Sequence, residues 1–111
     1  DMLHAVYSNV TLTNSSFENA PFDAVDLDFS HALIDGCSFS GNGNDALDPM
    51  TTTAVVRRSL IEGSGDKGIS VGEGSRLFAL DDRFIRNKVG IEVKDNSTAI
   101  ISNVTLEYRP R

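Results

Sequence analysis

Large apolar residues recur along this chain at a fixed interval. Leu3, Val25, Leu47, Ile69 and Ile91 are each 22 residues apart. Two further ladders, Leu12, Ile34, Val56, Ala79, Ile101 and Phe17, Phe39, Ile61, Phe84, Leu106, keep that spacing with one step of 23. Three apolar ladders in phase mark an internal repeat. Within each unit apolar and polar residues alternate in short runs, as in Val25-Asp26-Leu27 and Ile91-Glu92-Val93. That is the period of a strand with its apolar side inward. Between the runs lie turn formers: Asn42-Gly43-Asn44, Gly63-Ser64-Gly65 and Asp95-Asn96-Ser97. No stretch keeps helical spacing beyond two turns. The pattern predicts an all-β, right-handed parallel β-helix, a solenoid of about four to five coils, each about 4.8 Å above the last. An antiparallel sandwich would space its strands irregularly.

Residues 1–111 read as one β-helix domain. Leu3 aligns with Val25, so the chain starts inside a strand, and no amphipathic helix near Arg111 offers a cap. Solenoid ends carry unpaired strand edges. The expectation is a segment of a longer protein, or a module stacking on another copy through its coil ends. A second surface for self-association lies on the strands beginning at Val10, Ala32, Ala54, Leu77 and Ala99, whose outward positions are Thr11, Leu33, Val55, Phe78 and Ile100. Four apolar residues in a row suggest a docking stripe, unless the two faces are interchanged or a loop covers it.

Composition narrows the function classes. With 40% hydrophobic residues the chain is not of the disordered type. One cysteine, Cys37, leaves no intramolecular disulfide and no cysteine-based zinc cluster. No apolar run is long enough for a membrane span. The net charge of −6 is unevenly spread: residues 1–56 hold eight acids and no base, and residues 57–111 hold eight acids and ten bases. Nucleic acid is a poor partner for such a chain. A cation, a basic partner or the less acidic end of a second copy suits it better.

The repeat turns scattered acids into columns. Stacked on the 22-residue period, one outward column reads His4, Asp26, Asp48, Ser70, Glu92 and its neighbour Val6, Asp28, Met50, Gly72, Lys94. A third, at the preceding turn, reads Asp1, Asp23, Asp45, Lys67, Val89. Like charges on adjacent coils should raise a pKa unless a cation or base intervenes, and Asp26 with Asp48 is the clearest pair. Three chemistries fit. Oxygen ligands suit a hard cation, so Ca²⁺ would be held by Asp26 and Asp48 with Asp23 or Asp45. Two carboxylates can act as acid and base on a glycosidic bond. Proton abstraction from a uronic acid needs a base such as Lys67 or His4 and a neutralising cation. A solvated face whose acids and lysines pair across coils, Asp45 with Lys67 for example, accounts for the same residues without a site.

Pro49 stands where a backbone N–H should bond the next coil, so the ladder beside Asp48 should be distorted. Cys37 occupies the position of Ser15, Ser59, Asp82 and Val104 and reads as a small inward residue behind a turn. Neither His4 nor His31 has a Ser or Cys partner for a triad. Asn9, Asn14, Asn96 and Asn103 begin N-x-S/T triplets, which count as glycosylation sites only in a secreting eukaryote.

The unit pattern, with its turn, small residue, Phe and Gly-Ile-x-Val, resembles the pectin-lyase-like right-handed β-helix superfamily, especially the repeats of carbohydrate-binding proteins and sugar hydrolases. The phrases NDALD at Asn44–Asp48, GDKGISVGEGS at Gly65–Ser75 and GIEVKDNS at Gly90–Ser97 carry the likeness. The resemblance implies outward Asp residues for Ca²⁺ and an Arg or Lys as base, with Asp26, Asp48 and Lys67 on the corresponding kind of face. No complete lyase or polygalacturonase motif is present. The expectation is a structural or glycan-recognition module of a secreted or surface protein, its acidic face the binding surface for polysaccharide, with Asp23, Asp45, Ser70, Glu92 and Lys94 as binding residues. The alternatives are part of a polysaccharide lyase, epimerase or hydrolase using Lys67, Asp48 and Asp26, and a scaffold that assembles end to end.

Overall fold

Each 22-residue unit contains three short strands. In the computed structural model, which describes residues 1–108, the first coil is β1 (Leu3–Val6), β2 (Asn9–Thr13) and β3 (Ser16–Glu18). The second is β4 (Val25–Asp28), β5 (His31–Asp35) and β6 (Ser38–Ser40), and the third β7 (Leu47–Met50), β8 (Thr53–Arg57) and β9 (Leu60–Glu62). The fourth is β10 (Lys67–Val71), β11 (Arg76–Leu80) and β12 (Arg83–Ile85), and the fifth β13 (Val89–Val93), β14 (Thr98–Ser102) and β15 (Thr105–Glu107). Equivalent strands pair in parallel, giving three five-stranded sheets: β1-β4-β7-β10-β13, β2-β5-β8-β11-β14 and β3-β6-β9-β12-β15. The chain is a right-handed solenoid of five coils, and the antiparallel alternative is excluded.

All three apolar ladders are strand registers. Leu3 pairs with Val25, Val25 with Leu47, Leu47 with Ile69 and Ile69 with Ile91. Leu12 to Ile101 and Phe17 to Leu106 run likewise up the other two sheets. Their side chains meet along the axis as one core in which Leu27, Ile34, Phe39, Leu47, Val56 and Ile69 are fully buried. Phe17 stacks on Phe39 with ring centroids 5.0 Å apart. The extra residue of the fourth coil lies at its first corner, where Glu73 and Gly74 together stand opposite Thr51.

The corners carry a second repeat. A residue with positive φ turns the chain: Tyr7, Phe29 and Thr51 between sheets one and two, Asn14, Gly36, Arg58 and Asp81 between two and three, Asn19, Gly41, Gly63 and Arg86 between three and one. For an ordinary side chain this conformation costs about 1 kcal/mol. The residue that follows points inward and bonds the coil next to it. Thus the N–H groups of Ser8, Ser30, Thr52 and Ser75 donate to the hydroxyls of Ser30, Thr52, Ser75 and Ser97 in turn, at 3.1 Å each. Buried backbone donors are thereby satisfied where strand pairing stops. Tyr7 also stacks on Phe29 outside the first corner, at 5.0 Å.

Close approach explains one glycine and a left-handed backbone another. A Cβ on Gly65 would lie 2.1 Å from the Gly43 carbonyl oxygen, whereas one on Gly74, at φ +72°, would meet nothing within 4 Å. Gly65→Ala should therefore cost roughly 2–3 kcal/mol through backbone displacement, and Gly74→Ala about 1 kcal/mol of left-handed strain. Urea denaturation of both variants checks the order. Equal losses would mean that the third corner yields more readily than its backbone packing indicates.

Candidate functional site

The outward face of sheet one and the turn before it gather six of the acids of the first three coils, Asp1, Asp23, Asp26, Asp28, Asp45 and Asp48. His4 lies beside Asp26, and Asp26 beside Asp48, in direct strand register. Ser70 and Glu92 continue the column. Pro49 interrupts it as expected: β7 and β4 share four register pairs, β7 and β10 only Leu47 with Ile69. The Gly72 N–H reaches the Pro49 carbonyl at 3.4 Å, a long contact. Proline supplies no N–H to this ladder. A groove of about 400 Å³ opens at the distortion, with Asp26, Asp45, Asp48, Lys67, Ser70 and Lys94 among its walls. Six of the eight residues singled out from the sequence thus meet in one place.

The other two adjoin it. Asp23, Asp45 and Asp48 bring carboxylate oxygens within 4.8 Å of one another. Glu92 stands 3.6 Å from the Lys67 ammonium and 3.5 Å from that of Lys94. Asp26 belongs to different groups at the same spacing, one with Asp1 and Asp23, the other with His4 and Asp28. Asp23 is therefore the hinge between the two Asp residues first picked as metal ligands.

Some of these groups already hold the backbone together. Asp23 Oδ1 accepts the Asp45 N–H at 3.0 Å and the Asn44 side-chain amide at 2.7 Å. Asp45 Oδ1 in turn accepts the Lys67 N–H at 3.0 Å. The Lys67 ammonium goes to Asp66, at 2.9 Å, so Asp45 meets the Lys67 backbone rather than forming the expected side-chain ion pair. That hydrogen bond with Asp66 raises the Lys67 pKa and keeps it an ammonium at neutral pH. His4 Nε2 meets Asp28 at 2.8 Å, and the contact raises the histidine pKa.

Burial and crowding show in the acids. Desolvation raises Asp26 and Asp45. Asp48 is pushed up to about 7, by burial first and then by the charges of Asp23, Asp45 and Asp26. An oxygen-rich cluster that repels itself in this way has the donor set a hard divalent cation prefers.

Similarity to known proteins agrees with the coiled architecture. The sequence matches the family described as right handed beta helix region over residues 4–109. The chain belongs to that β-helix family. No curated protein matches it. Family membership fixes the architecture of this β-helix and leaves its chemistry to the faces.

Away from the acidic face, the stripe on sheet two is outward as expected: Leu33, Val55 and Phe78 are half-buried and Ile100 is 52% exposed. Among the described residues no helix is long and apolar enough to cross a membrane. Sequence reasoning passed over Asp28 and Asp66, the carboxylates that engage His4 and Lys67, although Asp28 stood in a stacked column. It also passed over Asp82, read only as an equivalent of Cys37. Cys37 itself is buried behind the second corner, as expected.

Asp48 makes a pH prediction. Its pKa in the folded β-helix exceeds that of the unfolded chain, so folding retains its proton more tightly. The contribution of Asp48 to stability is full below about pH 4 and is lost as pH rises toward 7. Asp48→Asn should melt above the wild type at pH 8, with that advantage gone below pH 4. A variant no more stable than wild type at pH 8 would remove the crowding argument.

Proposed function

We propose that this β-helix is a glycan-recognition module of a secreted or surface protein, binding acidic polysaccharide along the outer face of sheet one with Ca²⁺ as the bridge. The observation that carries the reading is the Asp23–Asp45–Asp48 cluster, its oxygens within 4.8 Å, with Asp45 and Asp48 in the walls of a groove that two lysines also line. Asp48 with free oxygens of Asp23 and Asp45 would hold the cation, and Asp26 would extend the site toward the first coil. Such a cation neutralises the cluster and leaves coordination positions for the carboxylates of a uronic acid chain. Lys94 would meet a second carboxylate. Asn44 and Ser70 offer hydrogen bonds to hydroxyls. The groove walls include no aromatic ring, so sugar would be held by charge and hydrogen bonds rather than by stacking.

One observation favours a second reading, an enzyme acting on the same polymer. A carboxyl near pH 7, as at Asp48, suits general acid–base work on a glycosidic bond, with Asp26 as the second carboxylate. Lys67 is a weaker base candidate, since Asp66 holds its proton in place. As an ammonium it is better suited to binding. An assembly role, through the coil ends or the Leu33–Val55–Phe78–Ile100 stripe, is the third possibility that the fold accommodates.

Calorimetric titration with Ca²⁺ alone, and then with polygalacturonate in the presence of Ca²⁺, tests the proposal. Wild type should bind calcium, and Asp48→Asn should bind it at least about tenfold more weakly, the loss of one charged ligand. Polymer should bind only after calcium. Absence of calcium binding overturns the reading. Formation of unsaturated sugar ends, lost in Lys67→Ala, would replace it with the lyase.

A further inference from the structure

The inward corner residues share a requirement that one of them meets only in an unusual state. Ser30, Asn42, Thr52, Ser59, Ser75 and Asn87 each accept an N–H from the corner of the preceding coil, and each hands a hydrogen to a carbonyl. Asn42 accepts the Ala20 N–H and donates to the Phe17 carbonyl, and Asn87 accepts from Ser64 and donates to Ile61. Thr52 accepts from Ser30 and donates to Leu27 and Met50. Ser75 accepts from Thr52 and donates to Pro49. Cys37 donates through its thiol toward Leu12 and Asp35, and Ser59 and Ser30 donate to Arg57 and Asp28. The target is always one of two carbonyls: that of the residue two before the donor, or that of the residue three before the corner of the preceding coil. Ser64 is the exception, its hydroxyl oxygen buried without a partner.

Asp82 stands in this series at the second corner of the fourth coil. Its Oδ1 accepts the Ser59 N–H at 2.9 Å, as the rule requires. The residue is only 1% exposed, and its Oδ2 is buried with no donor to it. An ionised carboxylate has nothing to donate, and a buried unpaired charge is costly. A protonated carboxyl has the shape and the donor–acceptor pair of the asparagine side chains that fill the third corner.

We propose that Asp82 is a neutral carboxylic acid in the folded protein up to near-neutral pH, donating through Oδ2 to the carbonyl of Val56 or of Leu80. Its ionisation makes the corner joining the third and fourth coils a pH-sensitive weak point. Val56 is the carbonyl the asparagine geometry selects, three residues before Ser59. The charged groups around this corner are Asp81 and Arg83 on the same coil and the Asp35–Arg57–Arg58 cluster on the two coils before it, while the following coil presents Asn103 and Val104. Burial raises the Asp82 pKa to about 7 against the opposing hydrogen bond from the Ser59 N–H, and the Asp81 charge adds to the rise.

The sign follows from linkage. A carboxyl that ionises at higher pH in the folded than in the unfolded chain contributes fully below about pH 4, and that contribution is lost as pH rises to about 7. Asp82→Asn carries a permanent donor and escapes the loss. Urea denaturation from pH 4 to pH 8 should show the folding constant of Asp82→Asn rising relative to wild type by about tenfold or more between pH 5 and pH 8. Asp48 titrates in the same range, but both proteins contain it and the ratio cancels it. Should Asp82→Asn fail to fold, Asp82→Ser makes the same comparison. The carboxyl-carbon NMR shift of wild-type Asp82 reads the proton without any substitution. Parallel stability curves, or an Asp82 carboxyl that titrates near pH 4, would overturn the proposal.

Discussion

In-register parallel pairing between coils is the constraint on which everything else in this molecule depends. Because the backbone bonds to itself one coil away, each side chain rests on the residue 22 or 23 positions along the chain. Like is stacked on like, whatever the residue type. For Phe17 on Phe39, or Leu27 beneath Pro49, the outcome is a continuous dry core. For Asp23, Asp45 and Asp48 it is a cluster of carboxylates that no single strand would have assembled. The same geometry that builds the core therefore loads one outer face with charge.

The corners show how a fold with three bends per coil keeps its backbone satisfied. Left-handed conformations at Tyr7, Phe29, Thr51 and Arg58 are accepted without glycine because the next residue completes a hydrogen bond to the neighbouring coil. Rings stacked outside the first corner assist Tyr7 and Phe29. The requirement for a side chain that both donates and accepts explains why Ser, Thr and Asn recur there. An aspartate in the same position meets that requirement by keeping its proton, as proposed for Asp82. Electrostatics at Asp82 and at Asp48 thus have different origins: solitary burial at the first, burial within a crowd at the second.

Much of this was legible in the sequence, since a period of 22 in three ladders leaves few alternatives. Fold, handedness, register, the columns of the acidic face and the effect of Pro49 all follow from that period. The three-strand composition of each coil was harder to see. Runs such as Ser16–Glu18 are only three residues long, and their corners are turned by Arg58 or Thr51 rather than by glycine. Within the site, the columns brought out Asp26, Asp48 and their neighbours, but not the partners that lie between columns. Asp66 and Asp28 engage Lys67 and His4 diagonally or along the chain, relations that a vertical reading misses. Asp82 was overlooked because its oddity lies in the hydrogen-bond inventory, and no pattern of apolar and polar letters records that.

The acidic face then stands as the feature of this β-helix with the most stored repulsion and the clearest use for a cation. Titrating the Asp48 carboxyl carbon by NMR, without and with calcium, tests that account most directly. A pKa of about 7 in the absence of calcium, falling well below that when calcium is added, is the predicted result. An Asp48 that titrates near 4 under both conditions would contradict it, because stacking would then have brought the carboxylates together without making them interact.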